Sequence, residues 1–141
     1  MSPRYRLFYF PARNQGEAIR LAFHYAGVPF EDFKIPLNEW VVKYKASSPY
    51  GTVPYLEVDN EKLAEVTTIL RYIGRHYGLA GSNPCEEAKV DELLQVHHSE
   101  YAEMKKWLLA KVGMPGTGNP ANIYALPQLR RYLETRPQTP W

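Results

Sequence analysis

Ser48-Pro49-Tyr50-Gly51-Thr52-Val53-Pro54-Tyr55-Leu56-Glu57-Val58-Asp59 is the stretch on which the fold of this chain turns. Two prolines and a glycine make a turn, after which Tyr55, Glu57 and Asp59 alternate with Leu56 and Val58 in the two-residue period of a strand. Pro54 has no N–H to give a sheet ladder, so the stretch reads as a loop running into an edge strand. An X-Pro bond becomes cis at a cost of only ~0.5–1 kcal/mol. A cis Val53-Pro54 bond would turn the chain sharply and aim the N–H and C=O of Val53 outward, where a short peptide ligand can add itself as a strand. The same residues also fit a plain tight turn before a strand, and the flanking sequence decides between the two.

Upstream, Tyr5 to Phe10 is aromatic and apolar apart from Arg6, the pattern of a strand buried on both faces. Asn14 with Glu17 three residues on predicts a capping box, and Ile19, Ala22, Phe23 and Ala26 fall on one helical stripe that stops at Gly27. A second strand is predicted over Pro29 to Ile35. Strand, helix and strand within so short a span imply a parallel crossover. Asn38 is placed to cap a short helix carrying Trp40, Val41, Lys43, Tyr44 and Lys45, which ends before Ser47-Ser48-Pro49. Downstream, Tyr55 to Val58 and Lys62 to Ala64 form a hairpin around Asp59-Asn60. Val66, Ile69, Leu70, Ile73 and Tyr77 then keep helical spacing up to Gly78. Residues 1–79 are thus an α/β layer, βαβ, a loop helix, then ββα.

After a small-residue linker, Asn83-Pro84 with Glu86 opens a helix whose stripe Val90, Leu93, Leu94, His97, Tyr101, Met104 and Leu108 runs to Val112, ~40 Å at 1.5 Å per residue. The glycine-rich run 113–120 reads as a loop, and Pro127 to Thr135 as a short last helix. Adjacent His97 and His98 face different sides of a helix, so no metal site is expected there.

Composition narrows the function. Seventeen basic and fifteen acidic residues are scattered without a basic run, net charge +2, so nucleic acid is not the expected partner. The single cysteine, Cys85, excludes an internal disulfide framework, and no apolar run is long enough to span a membrane. A cytoplasmic protein is the expectation.

Leu7-Phe8-Tyr9-Phe10, Glu17-Ala18-Ile19-Arg20, Ala26-Gly27-Val28, Trp40, Lys45, Pro49-Tyr50-Gly51-Thr52-Val53-Pro54, Leu56-Glu57-Val58-Asp59, Ile69-Leu70-Arg71-Tyr72-Ile73 and Tyr77-Gly78-Leu79-Ala80-Gly81 together resemble the cytosolic glutathione transferases of the sigma class. The likeness is to the nematode and invertebrate enzymes and extends to the glutathione-dependent prostaglandin D synthases. The resemblance implies a thioredoxin-like domain over 1–79 and an all-helical domain over 83–141. It also implies glutathione as co-substrate, a small electrophile as second substrate, a homodimer and no metal. By the same resemblance Tyr9 donates a hydrogen bond to the glutathione sulfur, and Trp40 and Lys45 meet the glycine carboxylate. Gly51, Thr52 and Val53 line the loop dock, and Glu65 and Val66 stand at the γ-glutamyl end. A free thiol of pKa ~8.5 is mostly protonated at neutral pH, and the thiolate is the nucleophile, which is what a donor at Tyr9 would favour. On residues alone, Tyr9 also fits a core tyrosine and Lys45 an exposed helix lysine.

The chain departs from that family in three places. Glu65-Val66 stands where the family has Gln-Ser, so a hydroxyl is lost and a negative charge gained beside the ligand's own. Asn14-Gln15-Gly16 stands where the family commonly reads Gly-Arg-Ala, and Trp40 and Lys45 are one residue farther apart than usual. Much of the helical domain between the long helix and the last one is missing, which makes that domain a truncated one. A non-catalytic relative, crystallin-like or binding, or an inactive truncated product, therefore stands as the alternative to an active transferase.

Overall fold

The computed structural model describes residues 2–111 and 113. The chain divides into two compact units between Glu87 and Ala88. In the first, β1 (Tyr5–Tyr9), α1 (Asn14–Ala26) and β2 (Glu31–Lys34) are followed by α2 (Leu37–Glu39), a π turn over Trp40–Tyr44 and a 3₁₀ turn over Lys45–Ser47. Strands β3 (Tyr55–Val58) and β4 (Glu61–Ala64) and helix α3 (Val66–His76) complete it. The sheet order is β2-β1-β3-β4. β1 pairs parallel with β2, and β1–β3 and β3–β4 are antiparallel, as the crossover and hairpin readings require.

One expectation is overturned by this order: β3 is an inner strand, not an edge. Pro54 is compatible with that position because it lies one residue before the ladder begins at Tyr55 and so takes no donor from it. The Val53-Pro54 bond is cis.

Alternation along β1 sends Tyr5 and Leu7 to one face. There they form a core with Ile19 and Phe23 of α1, Leu56 of β3 and Ile69 and Ile73 of α3. Phe8 points to the other face, onto Ile35, Tyr55 and Ala64, with Trp40, Tyr44 and Val53 packed around them. Each large apolar side chain so buried contributes roughly 1.5–3 kcal/mol.

Two predicted caps do not form. The N-cap of α1 is Arg13 without a side-chain cap, and Asn14 lies inside the helix at φ 38°. Glu17 turns instead to Arg20, 3.2 Å away, because that buried guanidinium is the stronger partner. Likewise α2 starts at Leu37 with Pro36 at its cap, leaving Asn38 within the helix. At the other end of α1 the glycine signal does hold. Gly27 takes φ 67°, its N–H bonding His24 O at 3.1 Å while Val28 N–H bonds Phe23 O at 3.0 Å.

Helix α4 (Pro84–Lys111) begins as its sequence indicates. Asn83 Oδ1 accepts from the N–H groups of Cys85 and Glu86 at 3.0 and 3.1 Å, and Glu86 Oε2 accepts from Ser82 N–H at 2.7 Å. The Ser82 bond holds the Glu86 carboxyl below its ordinary value. Along α4, Val90, Leu93, Met104 and Leu108 are exposed. The predicted extension of this helix to Val112, the loop over 113–120 beyond its first residue and the last helix lie outside the described residues.

Candidate functional site

Register gathers the site. Tyr9 ends β1 opposite Lys34, which ends the parallel β2, and Ile35 N–H donates to Tyr9 O at 2.8 Å. On the other side Phe8 faces Tyr55, the first residue of β3, and Tyr55 faces Ala64, the last of β4. The C-termini of β1, β2 and β4 and the N-terminus of β3 therefore share one end of the sheet. Tyr9, the segment with Trp40 and Lys45, the Gly51-Thr52-Val53 loop and Glu65-Val66 all leave the sheet there.

Tyr9 lies on the α1/α3 side of the sheet by its alternation with Tyr5 and Leu7, and only 5% of it is exposed. Trp40, on the opposite side, sets its ring perpendicular to Phe10 with centroids 5.7 Å apart. The extra residue between Trp40 and Lys45 is absorbed by the π turn, in which Lys45 N–H bonds Trp40 O. A π turn spends one more residue than an α turn, so Lys45 returns to the Trp40 side of the helix despite the insertion. The Lys45 stem then runs along Gly51, whose Cβ, if it had one, would meet Lys45 Cε at 3.7 Å. Gly51 itself sits at φ 68°, a conformation that favours glycine.

Val53 packs its side chain into the Phe8 cluster. Among the described residues no turn or loop hydrogen bond engages its N–H or C=O. Glu65, the N-cap of α3, holds φ 69° and ψ 121° without a side-chain cap. For a residue with a side chain this is strained backbone, of a kind that costs about 1–3 kcal/mol. The first-turn N–H groups of α3 follow directly, and they favour an anion. Val66 is half-buried against the Tyr5–Leu7 core.

Two residues at this end, Arg20 and Gly16, make contacts to which the sequence reading assigned no role. Arg20 is buried, and it donates to Asp32 Oδ2 at 3.0 Å, to Ala12 O at 2.6 Å, to Glu17 Oε2 at 3.2 Å and to Phe10 O at 3.2 Å. Gly16, one turn earlier on α1, lies against the Tyr9 ring. The signal available was a charge at position 20 beside the apolar positions Ile19 and Phe23. Among the described residues no three His, Cys, Asp or Glu side chains assemble as a metal site, and no helix is long and apolar enough to cross a membrane.

Residues 7–88, more than half of the chain, match the family described as glutathione S-transferase, N-terminal domain. Glutathione S-transferase 1 of Ascaris suum is 39% identical over 140 residues, covering 93% of this chain and 68% of that protein. Hematopoietic prostaglandin D synthase of Gallus gallus is 40% identical over 92 residues, covering 65% of this chain and 46% of that one. Among solved structures, the glutathione S-transferase from Ascaris lumbricoides is similar with a TM-score of 0.81 at 38% identity, covering 94% of this chain and 65% of that one. The chain belongs to the glutathione S-transferase family, and its first unit has the thioredoxin-like architecture of the family's N-terminal domain. It spans about half to two thirds of the length of these relatives.

Proposed function

We propose that this chain is a glutathione transferase of the sigma type, acting in the cytoplasm in detoxification, that adds the glutathione thiolate to small electrophiles. The observation that carries the reading is the convergence of Tyr9, the Trp40–Lys45 turn, the cis-proline loop and the start of α3 at one end of the sheet. In this reading residues 1–79 bind glutathione and 83–141 form the helical domain. The peptide backbone of glutathione pairs with Val53 as an added strand, lined by Gly51 and Thr52. Its glycine carboxylate meets the Trp40 indole N–H and the Lys45 ammonium, both donors suited to it. Its γ-glutamyl carboxylate lies on the first-turn N–H groups of α3 at Glu65 and Val66. Tyr9 keeps its proton and donates the O–H to the sulfur, which stabilises the thiolate and makes it available to attack. The thiol proton passes to solvent, and the sulfur lone pair forms a C–S bond to the electrophilic carbon. There either a leaving group such as halide departs with its bonding pair, or the electrons of an activated C=C π bond move to its far carbon and are protonated by water.

Calorimetric titration of the full chain with glutathione, followed by a conjugation assay with a small aromatic electrophile, tests this. One glutathione per chain and measurable turnover are expected. No binding heat and no turnover would reject it. A homodimer belongs to the same reading, favoured by exposed Val90, Leu93, Met104 and Leu108 on α4. Light scattering should show a dimer that Leu93→Glu splits, and a monomer in the parent chain would refute it.

A further inference from the structure

Gly16 and Arg20 stand one turn apart on α1 and both adjoin the Tyr9 ring. A Cβ built on Gly16 would overlap Tyr9 Cδ1, and would come within 2.6 Å of Cγ and 3.0 Å of Cε1. The ring therefore fills volume that the Cβ of any other residue at position 16 would claim. The guanidinium carbon of Arg20 lies 5.7 Å from the ring centroid, and Arg20 is fixed in place by its four acceptors. Helix α1 joins β1 to β2, and α3, which follows β4, packs both on α1 and over β3 and β4. In the order β2-β1-β3-β4 the cis-proline loop before β3 and the N-terminus of α3 after β4 leave the sheet on the opposite side of β1 from β2. A ring lodged in the gap at Gly16 lies against α1, the helix that leads to β2.

We propose that Gly16 is a positioning residue that tunes thiol activation: by lacking a Cβ it lets the Tyr9 ring lie back on α1, which weakens the hydrogen bond from Tyr9 to the glutathione sulfur. This rests on the reading of Tyr9 as the thiol donor. Restoring a Cβ pushes the ring off the helix toward the side where glutathione is anchored. At the helix itself the change is favourable, since alanine is a better helix former than glycine. Its cost lies in moving the buried Tyr9 ring, whose Cγ as well as Cδ1 must give way to the new Cβ.

The test is the titration of glutathione bound to the full chain, followed by the ultraviolet absorbance of its thiolate, in the parent, Gly16→Ala, Gly16→Ser and Tyr9→Phe proteins. Both Gly16 variants should lower the titration midpoint by about one pH unit, about tenfold more thiolate at a pH below it. The kcat for conjugation at that pH should rise in step while KM for glutathione stays put, a split that a general effect on folding would not give. Tyr9→Phe should raise the midpoint. If both Gly16 variants leave the midpoint unchanged or raise it while Tyr9→Phe raises it, the role of Gly16 is overturned and that of Tyr9 stands. A Tyr9→Phe midpoint equal to that of the parent removes the donor role and this inference with it. Independently of any variant, the parent should show nuclear Overhauser contacts between the Tyr9 ring protons and the Gly16 α-protons. Their absence would overturn the proposal.

Discussion

Arg20 Nε donates to Asp32 Oδ2 at 3.0 Å, and this pair fastens α1 to β2 beside the candidate site. The same guanidinium holds the carbonyls of Phe10 and Ala12, so it also shapes the loop that follows Tyr9. Asp32 Oδ1 is buried and has no hydrogen-bond partner among the described residues, so the carboxylate is compensated through Oδ2, by Arg20 at 3.0 Å and more weakly by Lys34 Nζ at 4.0 Å. Arg20→Met keeps much of the packing stem and deletes the charge. It should destabilise the protein by about 3 kcal/mol, the lower end of the range for breaking a buried pair, because Asp32 is partly exposed. The denaturant midpoint measures this, and a midpoint equal to that of the parent would show that the pair is dispensable.

Tyr77 donates its hydroxyl to Tyr5 Oη at 2.7 Å, with Tyr72 Oη at 3.4 Å on the same oxygen. Burial, then these two hydrogen bonds, push the Tyr5 phenol far above its ordinary value of 10.0. The unfolded chain releases this proton first, so above the ordinary value the unfolded state binds fewer protons and stability falls as pH rises. The stabilisation is fully present below about pH 10 and is lost progressively above it. Thermal unfolding followed from pH 8 to 11 should show a steep alkaline fall that Tyr5→Phe flattens. A Tyr5→Phe protein with the same alkaline slope as the parent would remove Tyr5 as its source.

β1 could be read from the sequence as an apolar run buried on both faces, α1 and α3 from their helical stripes, and β3 from its alternation, because each pattern reflects how the element is buried in the sheet or against it. The caps at Asn14 and Asn38 were misread for a shared reason. Asparagine competes for the backbone wherever a turn offers it a partner, and only the chain direction before the helix decides whether the side chain faces the free N–H groups. The inner position of β3 is set by long-range pairing with β1, which no local pattern records. At the site, the place of Tyr9 on the first strand was legible and the cis Val53-Pro54 bond was one of two readings of its turn, whereas the contact of Gly16 with Tyr9 was not. A glycine near a helix start looks like a weak helix position until the aromatic ring that fills its missing Cβ is placed beside it.

If Tyr9 is the thiol donor, Tyr9→Phe preserves the buried ring and deletes one O–H. Loss of a single electrostatic donor to a developing or resident anion costs roughly 10- to 1000-fold in kcat. Steady-state turnover should fall within that range, with the melting temperature within a few degrees of the parent. Unchanged turnover would exclude Tyr9 from the chemistry.

Glu65 and Val66 open α3 where the γ-glutamyl carboxylate is proposed to sit, and the structure makes their replacement a two-sided test. A hydroxyl at position 66 adds a hydrogen bond to a charged group, worth ~1.5–3 kcal/mol, so Val66→Ser should tighten glutathione binding about 10- to 150-fold by the 1.4 kcal/mol per decade relation. Val66 is also half-buried against the Tyr5–Leu7 core. Serine there gives up apolar contact, and stability should drop by about 1 kcal/mol even as affinity rises. Glu65 carries the opposite trade. Its φ of 69° strains the backbone, so Glu65→Gly should raise stability by about 1 kcal/mol, while Glu65→Gln leaves the strain and removes only the charge that repels the ligand. Titration calorimetry on the Val66→Ser and Glu65→Gln proteins, paired with denaturant unfolding of all three, separates the terms. Tighter binding with lower stability in Val66→Ser, and tighter binding at unchanged stability in Glu65→Gln, is the expected pattern. If neither variant binds glutathione more tightly than the parent, the γ-glutamyl end does not lie on α3.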